Sequence, residues 1–251
     1  MAGIVQLPGQ GEALFDGRIV LKAALPELTI TESLFPDARP GADPHLHREH
    51  ADAFYVLQGE LAFLVDDDEH VIGPGTTVCA PPGVVHGFRS LSPARFLNFH
   101  TPDGRFAESL RARDRGEPGG FDSDDAEPGA GLSASEAVLL HRGEGEALRG
   151  NHRVATIKIG RKELSLVEFE LEPRFAGPDP HSHHDHTDAF YVLEGEIELR
   201  LDGERIVAGP GTFAAATPGV THAFATGPNG ARLLNVHAPG TGFHDRLREM
   251  S

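Results

Sequence analysis

Short apolar runs closed off by Gly, Pro or acidic turns fill this chain, and sustained helical periodicity is rare. Residues 1–26 are punctuated by Gly and Pro, with a strand expected over Gly17–Ala24. Glu27–Leu34 (ELTITESL) reads as a strand, and Phe35–Pro44 as a turn-rich loop. Phe54–Val65 holds two β-rich runs broken at Gln58-Gly59-Glu60, which predicts a hairpin. Asp66–His70 (DDDEH) reads as an acidic hairpin tip, because its spacing is not that of a calcium loop. Gly73–Thr76 and Pro81-Pro82-Gly83 punctuate the next apolar run, and a further strand ends at Phe96–His100. Asp103–Arg115 is the one clear helical stretch here, with Phe106 and Leu110 at i, i+4.

The pattern then repeats. PHLHREHADAFYVLQGE at Pro44–Glu60 returns as PHSHHDHTDAFYVLEGE at Pro180–Glu196. His45, Asp52, Gly73 and His86 recur as His181, Asp188, Gly209 and His222 at a constant offset of 136. Asn98 and His100 recur as Asn235 and His237, one position later. Many short strands in two copies predict an all-β chain of two antiparallel barrels or sandwiches in tandem, with brief helices. The expected boundaries are 1–115 for the first domain, 116–135 for a linker rich in Gly, Pro and acids, and 136–251 for the second domain. The two halves are expected to pack as an intrachain pseudo-dimer, and a homodimer is compatible with this.

Composition narrows the function. A formal charge of −16 disfavours nucleic acid and anionic membrane surfaces, which call for clustered Lys and Arg. No apolar stretch reaches the ~18 residues of a membrane span. No secretory signal is evident at the start, and Cys79 is the only cysteine, so no intrachain disulfide forms. A cytoplasmic protein acting on a small molecule fits these features. There is no Ser-His-Asp constellation, no phosphate-binding glycine loop and no helix-turn-helix.

Histidine is where the chemistry lies. The chain has 15, most of them in the repeated blocks. His45 and His47 sit at i and i+2, so an extended strand points both imidazoles to one face. Asp52 opens the next strand, and His86 arrives from a strand about forty residues later. Three imidazoles and a carboxylate without a cationic partner are costly to bury unless an ion compensates. The candidate metal sets are His45, His47, Asp52 and His86, then His181, His183, Asp188 and His222. They suit Fe, Ni, Mn, Cu or Zn. The alternative is a polar barrel mouth, hydrogen-bonded within itself and to water.

His50 and His186 precede the acids by two residues. Each is either a further ligand or proton shuttle beside the metal, which together with Asp52 and Asp188 makes the candidate catalytic set, or an exposed turn histidine. His184 has Arg48 as its counterpart and is expected at the surface. His100 and His237 are expected to anchor the closing strand or mark the domain edge rather than bind metal. Phe54, Phe63, Phe88, Phe190 and Phe224 are expected in the core or a pocket wall. Tyr55 and Tyr191 have the other strand parity and are expected outside the barrel. Cys79 has Ala215 as its counterpart, which argues against an essential thiol.

These motifs resemble those of the cupin superfamily, in its two-barrel or bicupin form. The first family motif is carried by Gly41, His45, His47, Asp52 and Gly59, and again by Gly177, His181, His183, Asp188 and Gly195. The second is carried by Gly75, Pro81, Gly83 and His86, and by Gly211, Gly219 and His222. Three features depart from the family pattern: aspartate stands where glutamate is usual, Thr217 replaces the first proline of the second motif, and that motif's trailing asparagine is not at its usual spacing in either copy. The resemblance implies jelly-roll barrels, a divalent metal in each, and a quercetinase-like dioxygenase acting on an enolisable or flavonol-like substrate. A non-redox isomerase or cyclase, and a small-ligand-binding module without catalysis, are the competing functions.

Overall fold

The computed structural model describes residues 3–150 and 152–250. The chain folds into two all-β antiparallel jelly-roll barrels with two short helices, Phe106–Asp114 and Phe243–Glu249. One compact unit spans Gly11–Glu144, and the other joins the residues up to Gln10 with those from Gly145 onward. We call them the first and second barrels.

In the first barrel, seven antiparallel strands form one sheet. In spatial order they are Val138–Leu140, Thr77–Ala80, Ala51–Gln58, Ala94–Thr101, Leu28–Phe35, Ile19–Leu25 and Glu12–Leu14. The facing sheet is built on His86–Ser90, flanked by His45–Leu46 and Leu61–Val65. The inner faces carry Phe54, Val56, Leu61, Phe63, Ile72 and Phe96, all nearly inaccessible to water. Burying each such side chain contributes about 1.5–3 kcal/mol. The second barrel is one continuous curled sheet, because Thr187–Leu201 and His222–Ala238 run without a break along both of its walls.

Three differences from the sequence-based expectation matter. The runs on either side of Gly59 do not pair as a hairpin. Ala51–Gln58 pairs with Thr77–Ala80 and Ala94–Thr101, while Leu61–Val65 pairs with His86–Ser90 and Asp68–Ile72. Gly59, at φ +77°, carries the chain from one sheet to the other, so both runs turn their apolar residues onto one core. Residues 116–135 are not a free linker: Asp124–Asp125 pairs with His45–Leu46 and extends the sheet of the first barrel. Finally, Val138–Leu140 pairs with Thr77–Ala80 in the first barrel, whereas Ile4–Gln6 pairs with Phe213–Ala216 in the second. Each barrel therefore takes an edge strand from the stretch of chain expected to serve the other.

Tyr55 and Tyr191 lie on the opposite strand face from Phe54 and Phe190, as their parity predicts, yet both are buried. Among the described residues, no helix is long and apolar enough to cross a membrane.

Candidate metal centres

The first centre is assembled from residues of both sheets of the first barrel and the turn after His45. His45 pairs directly with His86 across adjacent strands, and Asp52 sits opposite both Ala80 and His100 in the other sheet. His47 follows in the turn after His45. One ligand atom from each of His45, His47, Asp52 and His86 falls in a cluster with all separations within 4.8 Å. Ring centroids are 4.4 Å apart for His45 and His86, 4.8 Å for His45 and His47, and 5.0 Å for His47 and His86. Asp52 Oδ2 lies 3.3 Å from His86 Nε2 and 3.7 Å from His47 Nε2. His47, Asp52 and His86 are 1 %, 3 % and 1 % exposed.

Backbone carbonyls decide which nitrogen of each ring faces the cluster. His45 Nδ1 lies 2.7 Å from Asp43 O, His47 Nδ1 2.5 Å from Asp122 O, and His86 Nδ1 3.0 Å from Val84 O. A carbonyl only accepts, so each Nδ1 carries the proton and donates. The Nε2 atom of each ring is then the one that faces the cluster. His47 Nε2 is buried without any hydrogen-bond partner. An orphan of that kind costs about 1–3 kcal/mol. Converging lone pairs around a carboxylate repel one another unless a cation lies between them. The donor set and the orphaned nitrogen therefore fit a divalent ion of first-row type.

The second centre repeats this. His181 and His222 form a reciprocal backbone bridge with N···O distances of 3.0 and 2.8 Å. The ligand atoms of His181, His183, Asp188 and His222 cluster within the same 4.8 Å limit. Asp188 Oδ2 is 3.0 Å from His222 Nε2 and 3.6 Å from His183 Nε2. His181 Nδ1 donates to Asp179 O and His222 Nδ1 to Val220 O. His183 Nε2 is again buried and unpartnered.

The electrostatics follow from this crowding. Burial, with the facing imidazole of His86, pushes His45 down to about 4. Burial alone would raise the Asp52 carboxyl, but the imidazoles of His100, His47 and His86 outweigh it and hold Asp52 well below the usual carboxylate range. Asp188 is lowered by the same balance, with His237 the leading imidazole. Burial lowers His222, yet its hydrogen bond to Asp188 prevails and the net shift is upward.

A second layer surrounds each ligand set. Asn98 Nδ2 donates to Asp52 Oδ1 and, at 3.2 Å, to Ala53 O, and Asn235 makes the same pair of bonds to Asp188 and Ala189. His100 Nε2 lies 2.9 Å from Asn98 Oδ1, and His237 Nε2 3.1 Å from Asn235 Oδ1. Phe106 stacks on His100 at 3.6 Å and Phe243 on His237 at 3.7 Å, so each helix roofs its centre with its first residue. His100 and His237 thus support the site aspartates as well as closing the sheet. The recurrence of Asn-x-His was the signal for this role.

His50 and His186 are not exposed turn histidines: they are 0 % and 3 % accessible and stack on His47 and His183 at 3.9 and 4.1 Å. His184 is exposed, as expected. Asp122 was missed entirely. Its carbonyl holds His47, while its carboxylate accepts from the backbone N–H groups of Arg48 and Glu49 and lies 3.0 Å from His50 Nδ1. Its neighbour Phe121 lies against the His47 ring at 5.6 Å. Nothing in a Gly- and acid-rich stretch marks these two as part of a site. The His183 side chain is 14 % exposed where His47 is 1 %.

A cavity of about 440 Å³ opens beside the first centre. Its wall includes His45, Asp52 and His100, with Phe35, Phe88 and Phe121 among its aromatic residues. That volume lies within the usual range of small-molecule sites.

Two barrels, each with a histidine–aspartate cluster able to take an ion, define a duplicated metal-site β protein. The chain belongs to the Cupin_2 family: the model of that cupin domain matches residues 34–100 and again residues 167–237. Quercetin 2,3-dioxygenase from Bacillus subtilis (strain 168) is 22 % identical over 237 residues, covering 78 % of this chain and 69 % of its own length. Among solved structures, oxalate decarboxylase from Bacillus subtilis superposes with a TM-score of 0.61 at 14 % identity, covering 95 % of this chain and 76 % of that one. Salicylate 1,2-dioxygenase from Pseudaminobacter salicylatoxidans superposes at 0.60 with 12 % identity, covering 88 % and 74 %.

Proposed function

We propose that each barrel holds one divalent transition metal, through His45, His47, Asp52 and His86 in the first and His181, His183, Asp188 and His222 in the second. We propose further that the chain is a dioxygenase-type enzyme for a small enolisable or aromatic, flavonol-like substrate. The observation that carries this is the inward-facing imidazole Nε2 atoms, two of them buried with no protein partner. A metal held by these residues would supply Lewis-acid and redox-capable chemistry.

The chain's own residues do the rest. The carbonyls of Asp43, Asp122 and Val84 fix the ligand tautomers. Asn98 holds Asp52 in register with the histidines. The aromatic residues of the cavity wall give a flat ring surfaces to lie against beside Asp52 and His45. His50 lies behind His47 and does not border the cavity, so we assign it, and His186 by analogy, to positioning rather than to contact with substrate. The similarity to a quercetin dioxygenase supports the choice of reaction class.

The test is oxygen uptake with quercetin by chelated protein reloaded with Fe, Ni, Mn, Cu or Zn in turn. The proposal expects uptake with at least one redox-active ion and none in the chelated form. Turnover of an enolisable substrate by the zinc form without oxygen would replace it with an isomerase or cyclase.

A further inference from the structure

The two centres are alike in their ligands, but the barrels around them differ. In the first barrel, Leu28–Phe35 pairs with Ala94–Thr101 so that Thr31 lies opposite Asn98 and Ser33 opposite Phe96. In the second, Ser165–Leu171 pairs with His222–Ala238 so that Val167 lies opposite Asn235 and Phe169 opposite Leu233. Asn98 and Asn235 each donate to the site aspartate and so mark the same place. Thr31 therefore corresponds to Val167, and Ser33 to Phe169.

Thr31 and Ser33 border the cavity, as does Leu110 of the first helix. Their counterparts Val167, Phe169 and Leu247 belong with Phe190 and Leu233 to the packed core of the second barrel. Where the first barrel sets a hydroxymethyl group beside the cavity, the second sets a benzyl group among its core residues. Interiors pack densely, so a ring added at such a point displaces whatever else might occupy it.

We infer that the barrels have divided the work: only the first admits an organic ligand, and Ser33 is the residue that keeps its chamber open. The second keeps an ion site behind a filled core. This deepens the proposed function and rests on it for the flat aromatic character of the ligand.

The probe is 2-naphthol, a hydroxyaromatic too simple to depend on the flavonol assignment, titrated by equilibrium dialysis against the metal-loaded full chain. One molecule should bind per chain. Ser33→Phe should weaken binding by about tenfold or more while elemental analysis finds both ions retained. Ser33→Leu, a smaller intrusion, serves if the phenylalanine variant does not fold, and should weaken binding in the same direction. Two molecules per chain in the native protein, no binding, or native affinity in a folded, fully loaded Ser33 variant would each overturn the inference. Intact 2-naphthol binding with no oxygen uptake on quercetin would sink the dioxygenase assignment alone and leave the division of labour standing.

Discussion

His47 has one ring nitrogen held by a carbonyl and the other facing a carboxylate that is too far away to bond it. Such a ring is oriented for a ligand that the polypeptide does not supply. Asp122 is the residue that keeps it so, by pinning the turn at Arg48 and Glu49 and by resting against His50. Asp122→Ala should lower ion affinity at the first centre by about 10–100-fold, the usual cost of losing an orienting partner. The second centre should be unaffected, as competition with a chelating dye would show. Protons compete with folding at the same residues. In the ion-free protein, His45 and His237 are pushed down from 6.5 to about 4 by burial and neighbouring imidazoles. The unfolded chain therefore takes up their protons first as the pH falls. The contribution of these two histidines to stability should be full above about pH 6.5 and decline toward pH 4. A urea midpoint lower at pH 5 than at pH 7 checks the sign.

At the scale of the element, the motif glycines show how much was legible and where legibility stopped. The duplicated His-x-His and Asp spacing revealed the four-residue sets, because strand parity and motif distance are local properties of sequence. Gly59 was visible as a break, but its use was not: a break between two β-rich runs looks the same whether the runs pair or part into two sheets. Only the competition for partners decides, since Ala51–Gln58 already has neighbours on both sides. His50 and His186 are polar residues in turns, and their burial depends on elements distant in sequence that come to rest on them. A Cβ at Gly59 would stand 2.0 Å from Pro93 O at a φ of +77°. Gly203 has a similar φ, +87°, with nothing within 4 Å of an added Cβ. Gly203→Ala should cost only the backbone strain, about 1–2 kcal/mol. Gly59→Ala should cost clearly more, and equal urea midpoints for the two variants would count against the close approach.

For the molecule as a whole, the charge of −16 and the repeat pointed to two domains and a small-molecule role, and the family match agrees with the duplication. Composition could not reveal that each barrel takes its edge strand from an unexpected stretch of chain, because three-residue strands carry almost no periodic signal. Nor could it reveal that a serine borders the first cavity where the second barrel sets a phenylalanine in its core. The central claim is that each histidine–aspartate set holds an ion. Elemental analysis of protein purified without a histidine tag tests it most directly. About two divalent ions per chain are expected in the native protein, about one in His47→Ala and in His183→Ala, and none in the double variant. A folded native chain with no bound metal, or variants that keep the full complement, would contradict the account.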